Sequence, residues 1–161
     1  MKEVAGVFAL FFMARRKYTN VENIHRGAND IVPFVAGGIG ITPLLAQLPD
    51  LDLERIKLFW TLNVHDLGLA VDTLERCPHL GPSTNIFLSR MEEKPAAESQ
   101  LIIEQLEKLG ARFIIRRIVG SDLMGNQNLS STWYLCTNTP LRKSLLEWLP
   151  GKETVYEDFD Y

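Results

Sequence analysis

A short apolar run that stops at glycines constrains this chain more than any other feature. Ile31 to Ala36 reads IVPFVA, with Asp30 before it and Gly37-Gly38 after it. A run of this length without alternation fits a strand covered on both faces. The next residues, Gly37-Gly38-Ile39-Gly40-Ile41-Thr42-Pro43, change the geometry at once. Glycines permit a tight turn. Threonine followed by proline reads as a helix start, with a hydroxyl cap and proline at the first helical position. Pro49-Asp50 ends that helix early. Strand, glycine turn and helix open a βαβ unit, whose strands run parallel and whose crossover is right-handed.

The alternation continues down the chain. Ile56 to Leu62 (IKLFWTL) reads as a second strand. Asp66 caps a helix whose apolar face carries Leu67, Ala70, Val71 and Leu74, and Cys77-Pro78 ends it. Asn85 to Ser89 is a third strand. Ala96 to Leu109 is amphipathic, with Leu101, Ile102, Leu106 and Leu109 at helical spacing and Gly110 just past the end. Arg112 to Val119 fits either an irregular strand or a short crossover. Trp133 to Cys136 (WYLC) reads as a buried strand, Leu141 to Leu149 as a helix stopped by Pro150-Gly151, and Glu153 to Tyr156 as a last short strand. The expected class is α/β, an open parallel sheet flanked by helices. In such sheets ligands bind in the loops beyond the carboxyl ends of the strands.

Bulk properties remove several function classes. The chain has 161 residues and a net charge of −3, so one domain is expected and no basic field points to nucleic acid. Cys77 and Cys136 are its two cysteines, which suggests a reducing compartment rather than a disulfide framework. Val4 to Ala14 is almost wholly apolar and precedes Arg15-Arg16-Lys17. It is too short to span a bilayer, and a signal peptide carries its charge before the apolar stretch. We read it as a buried strand. His25, His65 and His79 are scattered, and neither they nor the cysteines have metal-ligand spacing.

The glycine loop has two physical explanations. Its backbone can approach a pyrophosphate closely, with the following helix N-terminus attracting the anion. A plain strand-to-helix turn explains the same glycines. Pro43 stands where the usual G-x-G-x-x-G fingerprint has its third glycine.

The run AGGIGITPLL resembles the first nucleotide-domain motif of the ferredoxin-NADP reductase superfamily. Trp133-Tyr134-Leu135-Cys136 resembles the family strand that ends in Cys-Gly-Pro-Pro beside the nicotinamide. The continuation here is Thr137-Asn138-Thr139-Pro140, so threonine replaces the glycine and adds a branched side chain. The terminus Val155-Tyr156-Glu157-Asp158-Phe159-Asp160-Tyr161 is similar to the family's acidic-aromatic ending. The likeness covers roughly residues 32–161, and its layout is most like the small oxidoreductase NAD-binding domain-containing proteins.

That resemblance implies a five-stranded parallel sheet and an NAD(P)-binding domain over residues 31–161. It implies pyrophosphate contacts at Gly37, Gly38, Gly40, Ile41, Thr42 and Pro43. Thr61, Thr137, Asn138 and Pro140 would line the rest of the dinucleotide. Cys136 and Glu157 would stand at the reacting nicotinamide, and Phe159 and Tyr161 at the flavin. It also implies mitochondrial location, with the cytoplasm as the alternative. Gly6 to Leu10 aligns with the last strand of the family's flavin-binding barrel, so residues 1–30 read as the remnant of a preceding FAD domain.

Ser89-Arg90 resembles a pair that some NADPH-using relatives place on the 2′-phosphate, where arginine's bidentate fork suits the anion. Asn63 stands where many relatives carry arginine, and no acidic residue ends the second strand. NAD and NADP both remain open. The expected function is hydride transfer from NAD(P)H to FAD, with a flavin domain or electron acceptor as partner. A dinucleotide-binding module without turnover is the alternative, favoured by the altered loop after Cys136.

Overall fold

Six strands form one sheet in the computed structural model, which describes residues 30–48, 51–89, 96–125 and 128–156. They are β1 (Val32–Gly37), β2 (Ile56–Leu62), β3 (Thr84–Leu88), β4 (Arg112–Ile114), β5 (Thr132–Cys136) and β6 (Glu153–Tyr156). All neighbours run parallel in the order β4-β3-β2-β1-β5-β6. The expected α/β class holds, with six strands in place of five. The additional strand is β4, a three-residue piece of the ambiguous Arg112–Val119 segment. It pairs Arg112 with Asn85 and Ile114 with Phe87 before the chain leaves the sheet. A short edge strand that opens on a charged residue limits further pairing.

Helices cover both faces, so β1 carries no polar alternation. Successive side chains point to opposite sides. Phe34, Leu58, Trp60, Ile86 and Tyr134 pack on one face with α1 (Thr42–Gln47), α2 (Leu67–Arg76) and α3 (Ala97–Lys108). Val35, Phe59, Phe87, Trp133 and Leu135 pack on the other, against α4 (Gly120–Met124) and α5 (Thr139–Trp148). Aromatic stacking bridges strands within each layer: Phe34 and Tyr134 at 4.8 Å between centroids, Phe59 and Trp133 at 5.9 Å.

One helical face differs from the expected one. Leu101 was placed on the buried face of α3, yet it is 67% exposed, and Ile103 and Leu106 are the residues that enter the core. Ile102 and Leu109 pack at the margin of that core. Gly110 does follow α3, with φ +93, and turns the chain into β4. Among the described residues no helix is long and apolar enough to cross a membrane. The segment expected to be a barrel remnant, apart from Asp30, lies outside the described residues, as do Arg90, Glu157, Phe159 and Tyr161.

Candidate functional site

The strand order reverses at β1. From β1 the chain proceeds outward to β2, β3 and β4, then returns to place β5 on the other side. A crevice is expected at such a reversal, beyond the carboxyl ends of β1 and β5. Ala36 pairs with Cys136 at this edge, and Gly37 pairs with Thr61.

The glycine turn is built from contacts to both neighbouring strands. A Cβ on Gly37 would lie 3.6 Å from Thr61 Oγ1 and 3.6 Å from Thr137 Cβ, so the two threonines flank it. Gly38 has φ +51, in the left-handed region that glycine enters without a Cβ clash. Its carbonyl accepts the N–H of the fully buried Trp60 indole at 2.9 Å, which ties the turn to β2. Gly40 presses against β5: a Cβ there would lie 2.1 Å from the Cys136 carbonyl oxygen. Ile39 stands exposed at the tip.

A 3-10 turn over Gly38–Ile41 runs directly into α1, so the helical coil starts four residues before Thr42. Thr42 is therefore not the cap. Its hydroxyl donates backward to the Ile39 carbonyl at 2.7 Å, which locks the turn instead of opening the helix. Ile41 is fully buried, so its side chain belongs to the core and not to the crevice. Pro43 is buried as well. It lines a small cavity with Phe34, Gly40, Leu44, Gln47, Tyr134 and Cys136. Gln47 Oε1 is buried there without a hydrogen-bond partner among the described residues. Burial, then the nearby Glu153 charge, pushes the Tyr134 phenol above its ordinary range, so it stays protonated.

At the end of β5, Cys136 is buried, and Thr137 is only 5% exposed. Asn138 is the N-cap of α5, its Oδ1 accepting from the Leu141 N–H at 3.0 Å. Pro140 lies in the first turn of that helix. These two residues, which the resemblance assigns to the cofactor, stand at the start of α5. At the end of β3 the Ser89 hydroxyl is directed at the Leu62 carbonyl (3.3 Å) and Asn63 Oδ1 (3.2 Å).

The fold therefore brings Gly37, Gly38, Gly40, Thr61, Cys136 and Thr137 to one place. Ser89 stands at the end of β3, beyond β2. Sequence reasoning missed Asp66. Read only as a helix cap, it carries its Oδ2 to 3.5 Å from the Cβ position of Gly38 and accepts the Asn63 N–H at 3.3 Å. The first N–H groups of a helical coil have no intrahelical acceptor, which is a feature that suits an anion. Among the described residues no group of histidines, cysteines and carboxylates is arranged to hold a metal. Comparison with protein-family models, with curated proteins and with solved structures finds no match.

Proposed function

We propose that this chain binds a nicotinamide dinucleotide in the crevice between β1 and β5, as the NAD(P)H-binding part of a flavin-dependent oxidoreductase. One observation carries the reading. The glycine turn and the Cys136-Thr137 segment lie far apart in sequence and meet where the strand order reverses. The pyrophosphate would lie against the Gly38–Gly40 backbone, with the nicotinamide toward Cys136. The bound cofactor supplies the hydride, and FAD held by a flavin domain or partner protein receives it. The chain's own contribution is positioning. The turn held by Trp60 and by Cys136 fixes where the anion rests.

Thr137 favours a second reading, a dinucleotide-binding module without turnover. Its branched side chain is buried beside Gly37, where the resembled family has glycine.

Calorimetric titration of the full chain with NADH and with NADPH, flavin absent, tests the proposal. Amide chemical-shift mapping should place the largest changes at Gly37–Thr42 and Cys136–Asn138. No binding of either nucleotide at millimolar concentration, or shifts centred elsewhere, would refute it.

A further inference from the structure

We infer that the chain carries a separate site for a phosphate group at the amino ends of β2, β3 and β4, where Lys57, Asn85 and Arg112 share one face of the sheet. It does not depend on the nucleotide-binding reading. Four residues along β2 separate Lys57 from Thr61, the partner of Gly37, which is about 13 Å at the rise of a parallel strand. β2 reads IKLFWTL, so Lys57 is a charge set in a strand that is otherwise apolar but for Thr61. Strand residues two apart point the same way, and Lys57 therefore shares the face of Phe59. Phe59 pairs with Asn85, and Asn85 pairs with Arg112. Lys57 Nζ donates to Asn85 Oδ1 at 3.0 Å. An ammonium has three donors and an amide NH2 has two. That bond therefore leaves two Nζ protons and the Asn85 NH2 without an acceptor among the described residues.

The positive charge here is not compensated. Burial, then the Arg112 charge, pushes the Lys57 ammonium below the ordinary lysine range. Among the described residues, ion pairs join Arg76 to Asp72 and Arg116 to Asp122, and neither includes Lys57 or Arg112. Asp122 feels the Arg112 charge, yet Arg116 and the Val119 N–H already hold both its oxygens. Lys57, Arg112 and Arg116 thus stand against one carboxylate, in a chain whose net charge is −3. Partly burying an ammonium without a counter-charge costs stability, and local conflicts of this kind concentrate at functional sites. The donors come from three adjacent strands: an ammonium, an amide and a guanidinium fork. A carboxylate has two oxygens in one plane, whereas a phosphate group offers three strong acceptors, enough for all of them.

The test is titration of the full chain with inorganic phosphate, ionic strength held constant with sodium chloride. Amide and Asn85 side-chain NH2 chemical shifts follow it, on wild type, Lys57→Met and Arg112→Gln. Melting curves check that each variant is folded. Wild type should show saturable shifts centred on Lys57, Asn85 and Arg112. Each substitution removes a charged donor and should weaken binding at least about tenfold. A parallel titration with glycerol 3-phosphate separates the two sources of the group. Tighter binding than inorganic phosphate assigns the site to a phosphorylated metabolite, and equal or weaker binding assigns it to the free ion. Shifts that do not saturate by tens of millimolar overturn the inference. So do saturable shifts centred on Gly37–Thr42, which would put the anion at the glycine turn instead, and so does undiminished binding by a folded variant. The wild-type map decides the matter even where a variant fails to fold.

Discussion

Gly40→Ala is the sharpest perturbation the geometry offers. Its Cβ would lie 2.1 Å from the Cys136 carbonyl oxygen and 3.0 Å from the carbonyl carbon. Both are backbone atoms at the end of β5, which is hydrogen-bonded to β1 at the same level. Close carbon–oxygen approaches settle at roughly 3.3 Å, so the turn and the strand must part by about 1 Å. Overpacking of this kind costs about 1–3 kcal/mol, and a contact with immovable backbone belongs at the upper end. At roughly 2–4 °C per kcal/mol for a chain of this size, about 3 kcal/mol lowers the melting temperature by roughly 6–12 °C. Gly68→Ala is the control, because a Cβ there meets nothing within 4 Å. It should melt at or slightly above wild type. Thermal denaturation followed by circular dichroism reads both. A Gly40→Ala protein melting within about 2 °C of wild type would refute the close-packing account of this glycine.

Three further perturbations address the turn, the core and one ion pair. Trp60→Phe removes the indole N–H from the Gly38 carbonyl. A part-buried carbonyl left unpaired costs about 1 kcal/mol, and nucleotide affinity should fall together with the melting temperature; full retention of both would dismiss the anchor. Leu106→Ala should cost about 2–5 kcal/mol, whereas Leu101→Ala, at an exposed position, should stay within about 0.5 kcal/mol in a denaturant titration. Similar losses at both sites would contradict the face assigned to α3. The Arg116 guanidinium holds the Asp122 carboxyl below the usual carboxylate range; burial opposes this and the Val119 N–H assists it. A depressed folded value means that the stabilisation is complete above the unfolded value of about 4 and fades as pH falls through the folded one. The melting difference between wild type and Asp122→Asn should therefore be full at neutral pH and shrink below about pH 4. A difference that stays constant through the acid range would exclude the ion pair as its source.

Periodicity and turn chemistry made the strands legible, because a strand buried on both faces must be apolar along its length. Ile31–Ala36, Ile56–Leu62 and Trp133–Cys136 are recovered as β1, β2 and β5 within a residue or two. β4 was ambiguous because three residues on an edge, Arg112 exposed among them, leave no periodic signature. Leu101 misled because adjacent leucine and isoleucine residues cannot all face one way on a helix, and sequence alone does not say which will lose. Thr42-Pro43 looked like a cap because hydroxyl-proline pairs often are caps. Here the coil had already begun at Gly38, and the hydroxyl turned back to Ile39. Asp66 was legible as a residue that starts a helix. Its place beside Gly38 depends on how β1 and β2 align, which no local pattern encodes.

The glycines illustrate a wider point about reading such loops. Gly37 sits between Thr61 and Thr137, Gly38 holds φ +51, and Gly40 abuts the Cys136 carbonyl. Gly38 and Gly40 are required by the chain's own geometry before any ligand is considered, whereas a Cβ on Gly37 would meet Thr61 and Thr137 only at ordinary van der Waals distance. Packing and binding are nevertheless not rival explanations here. At the reversal of strand order, where open parallel sheets hold their ligands, a turn keeps a fixed shape when it is clamped from both sides. The clamp on β5 is the Gly40–Cys136 contact, and the clamp on β2 is Trp60. A nucleotide held by the turn would then be felt by both strands. This coupling separates a shaped anion cradle from a turn that merely contains glycine, since a turn without a ligand has no reason to transmit anything to Cys136. Hydrogen exchange at Leu135 to Thr137 should accordingly slow when nucleotide is added, in parallel with Gly38 to Gly40. Protection confined to the glycine turn would mean that the two segments are neighbours without being parts of one site.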